Sequence, residues 1–515
     1  MLLTELLNDN IEKFGEYNLL YYGDKAYTNI ETKIISKKVS SLIRSIGVEK
    51  GDRVLICMSN CPEVIFSYQG VLGAGAIIVP VMYLLHENEI NFILKNSEAK
   101  AIITSFSLLD KILNSTNGLT VLPKIICIDE SNSADLNQEN IEIIQWDKAL
   151  SNITISDVTP LDIKETDVAV ILYTSGTTGM PKGVMLTHKN LYSNTASGVS
   201  LREEDDSRGT TIGVLPLAHI YGFGIMNSIL MLGSSVVIFS KFDTEEVLGV
   251  IEKYKVKSFA VVPAMIHAMV YHPNVDKYDL SSLEAVGSGS AALPISLKEK
   301  FLEKFGVEVK DAYGLSEASP GVAGNRKGMP LKEGSVGIPM PGVTIKIVDD
   351  NGKEVPTGEV GELLVQGDNV TPGYFRNEEA TKNALKDGWL HTGDLAKVDE
   401  DGYLFIVDRK KDLIIRGGFN IYPRDLEELL AKHEAVSEVA VIGIPSEKMG
   451  EEILACVVKK EGVEVTEEEL IEYSQTYLAK YKTPRHVTFV KELPRNGVGK
   501  ILKARLRESI IKKDD

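Results

Sequence analysis

The 515-residue chain is poor in cysteine, in positive charge and in long hydrophobic runs. Its four cysteines are too few for a disulfide framework and lack the paired spacing of a zinc site, so we expect a reducing compartment. The net charge of −17 argues against binding to nucleic acid and against electrostatic anchoring to a membrane. The first residues carry acids instead of the basic region of a secretory signal, and together these absences favour a cytoplasmic protein.

One hydrophobic run raises the question of a membrane span. Residues 64–85 are uncharged and long enough to cross a bilayer. Polar residues, glycines and Pro80 interrupt the run, which divides naturally into a helix followed by a short buried strand at 76–80. We therefore expect no transmembrane segment.

Hydrophobic patterning predicts an α/β fold with several packed units. Between about 210 and 320, short apolar runs alternate with helix-like stretches such as 244–254, which begins with an N-cap threonine. Residues 28–105 show the same alternation. Strand–helix–strand repeats imply right-handed crossovers, and hence doubly wound, mostly parallel sheets with helices on both faces.

The character of the sequence changes twice towards the C-terminus. Residues 335–408 carry short alternating strands around a DDNG turn, which predicts a β-rich subdomain of hairpins. A compact α+β segment follows, with a capping-box helix that begins at Thr466. We therefore divide the chain into an N-terminal domain at 1–408, which includes the β-rich subdomain, and a small C-terminal domain at 409–515, with a hinge near 409–411.

The segment YTSGTTGMPKGVMLTH (173–188) combines hydroxyl groups, glycines and one lysine. It is not a Walker A loop, because Lys182 stands between Pro181 and Gly183 instead of following a glycine. Its glycines permit close backbone approach, and successive amides can form an anion-binding nest. A solvated linker would have a similar composition, but the preceding residues 168–173 read as a buried strand. We interpret the segment as a nucleotide-phosphate loop.

A second glycine-rich segment, GSGSAA (287–292), fits part of the dinucleotide-binding pattern, with Asp311 about twenty residues further on. A lone match of this kind is weak evidence for an oxidoreductase, and it leaves the loop at 173–188 unexplained. These glycines instead indicate a backbone that lies against a flat ligand.

The motifs occur in an order that resembles the adenylate-forming superfamily, which includes acyl-CoA synthetases, peptide-synthetase adenylation domains and luciferases. The resemblance covers almost the whole chain. After the phosphate loop, it rests on LPLAHIYGF (215–223), GSGSAALP (287–294), AYGLSEASP (312–320), GYFRNEEAT (373–381), WLHTGDL (389–395), DRKKDLIIRGGFNIYP (408–423) and PRNGVGK (494–500).

The resemblance implies a two-step reaction. Enzymes of this superfamily couple a carboxylate to the α-phosphate of ATP and release pyrophosphate, and a thiol then displaces AMP. ATP, Mg²⁺ and CoA are therefore the expected cofactor and co-substrates. Because the first step brings two anions together, positive charge must be focused on the α-phosphate.

Three residues are implied to act in catalysis. Lys500 would supply the positive charge on the α-phosphate from a mobile C-terminal domain. Glu317 would hold Mg²⁺ together with Thr174, since Mg²⁺ prefers oxygen ligands. His219 would line the acyl pocket and sense the carboxylate, although a buried core histidine is the alternative.

The resemblance also implies a nucleotide site. Asp394 would bind both ribose hydroxyls, with Arg409 bracing the ribose. Tyr313 would stack on adenine, whose other face would meet the backbone of 287–291, and the hydroxyl of Ser316 would meet the α-phosphate. The implied nucleotide-binding set is Thr174, Ser175, Gly176, Thr177, Thr178, Gly179, Lys182, Gly289, Ser290, Ala291, Asp311, Ala312, Tyr313, Gly314, Ser316, Asp394 and Arg409.

The acyl pocket is expected to be apolar. No acid follows the histidine motif to pair an amino-acid ammonium group, and the candidate lining is His219, Tyr221, Phe223, Ile225, Met226, Val262 and Ala291. This favours a hydrophobic acid and resembles bacterial medium- and long-chain fatty acyl-CoA synthetases. An aryl-CoA ligase, or a stand-alone ligase that loads an acyl carrier protein, remains an alternative, and a homodimer is possible.

The resemblance finally implies a hinge and a thiol tunnel. Lys411 occupies the pivot, and Gly417 and Gly418 would pass close to the pantetheine arm of the thiol substrate. Ile415 stands where several aryl ligases carry lysine, which disfavours that branch.

Overall fold

The computed structural model describes residues 1–129, 141–155, 161–174, 181–201, 208–291, 293–326, 328–497 and 499–514, with side chains up to residue 510. The helices are α1 (Leu6–Phe14), α2 (Asn29–Ser45), α3 (Pro62–Gly73), α4 (Glu87–Ser97), α5 (Leu109–Ser115), α6 (Trp146–Asn152), α7 (His188–Ser200), α8 (Ile220–Leu232), α9 (Thr244–Tyr254), α10 (Pro263–Val270), α11 (Ile295–Phe305), α12 (Glu378–Ala384), α13 (Pro423–Leu430), α14 (Glu467–Tyr477) and α15 (Lys503–Asp514).

The strands alternate with these helices over the first three hundred residues and then follow one another more closely. They are β1 (Asn18–Tyr22), β2 (Lys25–Thr28), β3 (Arg53–Cys57), β4 (Ile77–Pro80), β5 (Ala101–Ser105), β6 (Lys124–Ile128), β7 (Ile143–Gln145), β8 (Val168–Thr174), β9 (Lys182–Thr187), β10 (Thr210–Gly213), β11 (Ser235–Ile238), β12 (Ser258–Val261), β13 (Ala285–Ser288), β14 (Val309–Asp311), β15 (Tyr313–Gly314), β16 (Gly321–Gly324), β17 (Ile338–Pro339), β18 (Val343–Val348), β19 (Gly361–Gly367), β20 (Gly373–Tyr374), β21 (Leu385–Lys386), β22 (Trp389–Val398), β23 (Leu404–Arg409), β24 (Ile414–Arg416), β25 (Phe419–Ile421), β26 (Val436–Ser446), β27 (Gly450–Lys459) and β28 (His486–Phe489).

Parallel sheets form the first part of the molecule. Over the described residues, the largest sheet has eight strands in the order β20-β9-β8-β4-β3-β5-β6-β7. It is parallel from β8 to β7 and antiparallel at the β20–β9–β8 edge. A second sheet, β10-β11-β1-β2, is parallel except for its last pair, and a third, β12-β13-β14, is wholly parallel. The predicted α/β class is confirmed.

The large sheet is buried on both faces because its strands alternate between two hydrophobic clusters. Val54 and Ile56 of β3 pack into one cluster, whereas Leu55 and Cys57 pack into the other. Successive side chains of a strand point to opposite faces, so a sheet covered by helices on both sides requires apolar residues at every position.

The run at 64–85 divides as expected, into α3 and β4. Within the part of the chain that the structure describes, no helix is both long enough and apolar enough to cross a membrane.

Two further sheets precede the C-terminal segment. The antiparallel sheet β18-β19-β22-β21, with β23 added beside β22, matches the predicted β-rich subdomain. A small antiparallel sheet, β15-β16-β17, lies before it along the chain.

The chain changes sheet at the predicted hinge. β23 is hydrogen-bonded to β22, whereas β24 belongs to the final sheet, β25-β24-β27-β26 with β28 beside β27. A short 3-10 turn at Lys410–Asp412 connects β23 and β24. This change of sheet is compatible with a division at 408–409, and the division itself stays a prediction.

Gly337 offers a test of how tightly the β-rich region is packed. Its φ is 90°, its carbonyl oxygen accepts a hydrogen bond of 2.8 Å from the amide of Leu404, and a Cβ at this position would overlap the carbonyl group of Gly324. Gly337→Ala should lower the free energy of unfolding by about 3 kcal/mol or more, because a backbone clash is added to the left-handed penalty of about 1–2 kcal/mol. Thermal unfolding will measure the loss.

The matched control is Gly352→Ala. Gly352 also has a positive φ, of 78°, but a Cβ there would meet nothing within 4 Å. It should therefore show only the left-handed penalty of about 1–2 kcal/mol. Equal losses in the two variants would contradict the clash.

Candidate active site

A buried carboxylate lies between two strands of the β-rich sheet. Asp394 in β22 pairs with Arg409 in β23, so the backbone register places the two side chains beside each other. Oδ1 of Asp394 lies 3.2 Å from Nε of Arg409, and the Asp394 side chain is only 6% exposed. The amide of Asp394 also donates a 3.1 Å hydrogen bond to Oγ1 of Thr392. The carboxylate is therefore fixed in position.

Tyr313 completes this group. Its hydroxyl donates a hydrogen bond of 2.5 Å to Oδ2 of Asp394. Burial and the negative charge of Asp394 hold the pKa of Tyr313 well above its usual value, so the phenol keeps its proton and remains a donor. The structure thus joins three residues that the sequence placed in one nucleotide site, Asp394, Arg409 and Tyr313.

Lys500, near the C-terminal end of the sequence, is influenced by the charges of Asp394 and Arg409. Burial, together with the nearby guanidinium of Arg409, lowers the pKa of Lys500 from 10.5 to about 8, while the carboxylate of Asp394 opposes this effect. Charges influence one another in this way only at short range. Lys500 and the Asp394–Arg409 pair therefore belong to one electrostatic site.

The loop that carries Lys500 is held by its own hydrogen bonds. The amide of Lys500 donates to Oδ1 of Asn496 at 2.9 Å, and the amide of Asn496 donates to the carbonyl of Lys500, also at 2.9 Å. Arg495 donates to the carbonyl of Gly499 at 2.7 Å and pairs with Glu438 at 2.6 Å. These contacts fix the direction from which Lys500 approaches.

His219 occupies the N-terminus of α8. It is the N-cap residue, and its Nδ1 accepts a 3.3 Å hydrogen bond from the amide of Tyr221. Burial, assisted by the positive charge of Lys500, lowers the pKa of His219 to about 4. At neutral pH the ring is therefore uncharged, and because Nδ1 accepts, Nε2 carries the hydrogen.

A second cluster surrounds Glu317, which lies in a 3-10 turn at Ser316–Ala318. The hydroxyl of Tyr374 donates a 2.7 Å hydrogen bond to Oε1 of Glu317, and the ammonium of Lys182 lies 5.5 Å from the centroid of the Tyr374 ring. Tyr374 is placed here because β20 pairs with β9, which begins at Lys182. Glu317 and Lys182 thus contact opposite parts of one tyrosine.

Tyr374 is the functional candidate that sequence reasoning missed. It stands in the motif GYFRNEEAT, but nothing in that motif indicates that its hydroxyl faces Glu317. The pairing of β20 with β9 supplies this information, and strand pairing between distant segments cannot be deduced from the motif alone.

Only the two ends of the predicted phosphate loop are described. Thr174 closes β8 and Lys182 opens β9, and the two residues are partners in the antiparallel pair. The intervening candidates lie outside the described residues: Ser175, Gly176, Thr177, Thr178 and Gly179.

The glycine-rich segment after β13 lies against an aromatic ring. A Cβ at Gly289 would stand 3.1 Å from Cε1 and Cζ of Tyr221, which is closer than most side-chain contacts, so a side chain here would press on the ring. Ser290 follows with a φ of 69°, and Ala291 is the last residue described before a gap. Tyr221 thus lies beside this backbone, and the expected contact of 287–291 with adenine stays a prediction.

The residues at the end of β14 and just after it are constrained by their own packing. The amide of Ala312 donates to the carbonyl of Ser288 at 3.2 Å. Burial raises the pKa of Asp311, although Nζ of Lys298 lies 3.4 Å from its carboxylate. A Cβ at Gly314 would overlap the carbonyl of Pro320, which gives Gly314 a structural reason to lack a side chain.

The predicted acyl-pocket residues fall into two groups. Tyr221, Ile225 and Val262 share one apolar cluster, together with Leu215, Ala260 and Met265. Phe223 lies elsewhere: it is 3% exposed and its ring packs 5.2 Å from that of Tyr68 in the main core. Residues two positions apart on an α-helix are rotated by about 200° around its axis. The side chains of Tyr221 and Phe223 therefore point to opposite sides of α8.

A cavity runs along α8 behind the Tyr221 cluster. It is small, with about 20 Å³ of free space, which is room for a water molecule or two. Every lining residue is aliphatic, methionine or glycine: Ile65, Ile212, Gly213, Leu215, Leu217, Gly222, Ile225, Met226, Ile229, Val236 and Ile238. Leu215 and Ile225 also belong to the Tyr221 cluster, so the cavity and the cluster share these two side chains.

The predicted hinge and tunnel residues lie at the start of the final sheet. Lys411 stands in the 3-10 turn, and Gly417 and Gly418 form the two-residue turn between β24 and β25. Their φ values of 58° and 85° are those of a type I′ hairpin turn. A Cβ at Gly418 would meet nothing within 4 Å, so this turn is open to an incoming group.

The side-chain oxygens of Glu317 and Thr174 could bind Mg²⁺ only together with oxygens from a bound phosphate. Within the described ranges, no group of three or more His, Cys, Asp or Glu side chains could hold a metal ion. Glu317 and Thr174 supply oxygen atoms, and Mg²⁺ commonly binds through one or two protein oxygens together with phosphate oxygens.

Sequence comparison matches the chain to known proteins over nearly its full length. Residues 7–375 match the family described as AMP-binding enzyme, and 425–500 match the AMP-binding enzyme C-terminal domain. A long-chain-fatty-acid–CoA ligase of Bacillus subtilis (strain 168) is 37% identical, over 98% of this chain and 94% of its own length. A 4-coumarate–CoA ligase of Vanilla planifolia is 35% identical, over 97% and 92%.

Solved structures of related ligases also superpose on the chain over nearly its full length. The anthranilate CoA ligase AuaEII in complex with anthranoyl-AMP superposes with a TM-score of 0.91 at 28% identity, over 100% of this chain and 98% of its own. ATP-bound MatB from Rhodopseudomonas palustris gives 0.89 at 30% identity, and apo MatB gives 0.79 at 29%, both over 99% of each chain.

The lowered pKa of Lys500 predicts a stability effect with a definite sign. Between pH 8 and 10.5 the unfolded chain binds more protons at this residue than the folded protein, so burial of Lys500 destabilises the fold most below pH 8. Lys500→Met should therefore raise the unfolding temperature of the ligand-free protein at pH about 7, and the gain should shrink by pH about 10.

The same substitution at the exposed Lys432 serves as the control, since a solvated side chain contributes little to stability. A Lys500→Met variant that is no more stable than the wild type at the lower pH would contradict the assigned burial of the charge.

Proposed function

Because the chain belongs to the family of AMP-binding enzymes, we propose that its carboxylic acid substrate is a medium- or long-chain fatty acid. The chemistry is that of an acid–thiol ligase, which joins an acid to AMP with release of pyrophosphate and then transfers the acyl group to CoA. ATP, Mg²⁺ and CoA are the cofactor and co-substrates. The open questions are the acid and the residues that act on it.

The observation that carries the fatty-acid proposal is the cavity along α8. Its lining contains no aromatic ring, and α8, the helix that His219 caps, contributes Gly222, Ile225, Met226 and Ile229 to it. An aliphatic lining favours contact with an alkyl chain over a planar aryl acid, and the side chains around this small cavity would have to move apart to admit the chain. The similarity to the Bacillus subtilis ligase supports the same substrate class, and the similarity to 4-coumarate ligases keeps an aryl acid as the alternative.

Lys500 is proposed to act in the first half-reaction. Its ammonium would lie beside the α-phosphate and reduce the repulsion between this group and the attacking carboxylate. Asp394 would hold the ribose, with Arg409 and Tyr313 fixing the orientation of its carboxylate through the contacts at 3.2 and 2.5 Å. Neutral His219 would orient the acid through its Nε2 hydrogen.

Glu317 and Thr174 are the residues proposed to hold Mg²⁺, and Tyr374 would position Glu317. The 2.7 Å hydrogen bond occupies Oε1 and leaves Oε2 for the cation. When bound, Mg²⁺ would neutralise phosphate charge. Lys182 would add a second positive charge on the phosphate side, with its ammonium 5.5 Å from the centroid of the Tyr374 ring.

The second half-reaction is proposed to use a different face of the C-terminal domain. The better superposition on ATP-bound than on apo MatB supports an arrangement suited to the first step, with Lys500 in the site. Rotation about Lys411 would withdraw Lys500 and bring the open turn at Gly417 and Gly418 towards the thiol.

A panel of acids tests the proposed substrate class. Octanoate, dodecanoate and palmitate should give a kcat/KM for CoA-dependent AMP formation about tenfold or more above those of benzoate and 4-coumarate, because each well-packed methylene adds binding energy. Pyrophosphate release measured with and without CoA separates the two steps. Higher values for the aryl acids would favour the alternative instead.

A pair of variants tests whether the two half-reactions use different faces of the C-terminal domain. Lys500→Ala should slow adenylation by about 10²–10³-fold, because one preorganised charge is lost, while thioester formation from supplied acyl-AMP should change little. Gly418→Leu should give the opposite result, since its side chain would occupy the path of the thiol. Single-turnover pyrophosphate release and thioester yield provide the measurements, and equal losses in both steps for either variant would remove its assignment.

A further inference from the structure

The first turn of α13 is capped by a residue from the other side of the predicted hinge. Tyr422, the N-cap residue of α13, makes no side-chain hydrogen bond to the helix. Oδ2 of Asp408 instead accepts a hydrogen bond of 3.1 Å from the amide of Arg424, the second residue of α13. The first amides of a helix need acceptors, and a negative charge is favourable beside them. Because Asp408 lies in β23, this cap crosses the hinge.

The side chain of Arg424 makes the return contact. Its Nη1 donates a 2.7 Å hydrogen bond to the carbonyl of Ile406 in β23, while its Nε pairs with Glu428 of α13 at 2.8 Å. The guanidinium is therefore held by its own helix and bonded to the strand on the other side of the hinge. Two hydrogen bonds thus join β23 to α13.

Lys503, the first residue of α15, brings a positive charge to the same carboxylate. Nζ of Lys503 lies 2.7 Å from Oε1 of Glu427 in α13. Burial alone would lower the pKa of Lys503, but the carboxylates of Glu427 and Asp408 outweigh this effect and raise it. Lys503 follows Lys500 by three residues. The charge of Asp408 therefore acts on the segment that carries Lys500.

The partners of Asp408 come from both sides of the hinge. Its Oδ1 accepts a 2.7 Å hydrogen bond from the amide of Arg409, whereas the amide of Arg424 and the charge of Lys503 belong to the segment after the hinge. Burial raises the pKa of Asp408, and these partners oppose the effect by favouring the charged form. Rotation about Lys411 would take Arg424 and Lys503 away from a carboxylate that has already lost part of its water, which is unfavourable. The contacts of Asp408 therefore favour the present arrangement over a rotated one.

We propose that Asp408 is a positioning residue for the first half-reaction, which seats α13 and α15 against β23 and thereby keeps Lys500 in the site. This inference rests on the proposed role of Lys500 and adds the residue that regulates its presence there. Removal of the Asp408 charge shifts the protein towards the rotated arrangement, in which Lys500 is withdrawn.

Asp408→Asn tests the proposal, because it removes the charge at nearly constant shape. Single-turnover pyrophosphate release, measured with ATP and the acid of highest kcat/KM in the panel, should slow by about tenfold, the effect of one hydrogen bond to a charged group. Thioester formation from CoA and the corresponding supplied acyl-AMP should proceed at the wild-type rate or faster. An equal slowing of both half-reactions would overturn the inference.

A double-mutant cycle separates the positioning of Lys500 from a general effect on the fold or on Arg409. In a Lys500→Ala background no ammonium is left to position, so the addition of Asp408→Asn should slow pyrophosphate release by less than about twofold. A further loss of about tenfold in this background means that Asp408 acts elsewhere and overturns the inference. If Lys500→Ala alone leaves pyrophosphate release unchanged, the proposed role of Lys500 fails and the inference fails with it.

Asp425→Asn is the matched control. Asp425 is the next residue of α13, and the cation beside it, Lys482 at 3.9 Å, lies on its own side of the hinge. Both half-reactions should stay within about twofold of the wild type, because an exposed ion pair contributes little.

Arg424→Met supplies a second variant in case Asp408→Asn does not fold. It keeps the side-chain stem and the capping amide but loses the hydrogen bond to Ile406. Pyrophosphate release should slow by about threefold, with thioester formation unchanged. An equal loss in the two half-reactions of this variant would overturn the inference independently.

Discussion

The buried negative charge of Asp394 is the constraint on which the rest of the site depends. A carboxylate that is 6% exposed must be compensated, and the protein does so with a guanidinium 3.2 Å away and a phenol at 2.5 Å. The antiparallel register of β22 and β23 brings Asp394 and Arg409 together, and Tyr313 arrives from the strand that follows β14. The strands that carry Asp394, Arg409 and Tyr313 thus meet at one carboxylate. The same carboxylate also favours the charged form of Lys500.

Much of the fold could be predicted because hydrophobic periodicity and capping are local. The helix at Glu467–Tyr477 begins with the predicted capping box, in which Thr466 and Glu469 exchange hydrogen bonds. The helix at Thr244–Tyr254 was also predicted, but its cap is Asp243, whose carboxylate accepts from the amide of Glu246. Threonine and aspartate both cap helices well, so the sequence alone does not choose between neighbours. Errors of this kind shift a boundary by one residue and leave the architecture intact.

The site was less predictable because it depends on contacts between distant segments. Motif order was enough to name Asp394, Arg409 and Lys500, whose proximity the structure bears out. It could not name Tyr374, whose position beside Glu317 comes from the pairing of the edge strand β20 with β9. Motif order also placed Phe223 and Tyr221 together in the acyl pocket. The two residues are two positions apart on α8, so their side chains point to different faces of the helix and join different clusters. Local patterns identify chemical groups, and tertiary contacts decide which of them meet.

If the nucleotide binds beside Lys500 as proposed, the ionisation of this lysine links nucleotide binding to the uptake of a proton. With a pKa of about 8, this lysine is not fully protonated in mildly alkaline solution. A polyanion bound beside it stabilises the ammonium form and raises its pKa, so each binding event in that pH range draws a fraction of a proton from the buffer. Departure of the phosphates reverses the exchange. The heat of nucleotide binding will consequently depend on the ionisation enthalpy of the buffer.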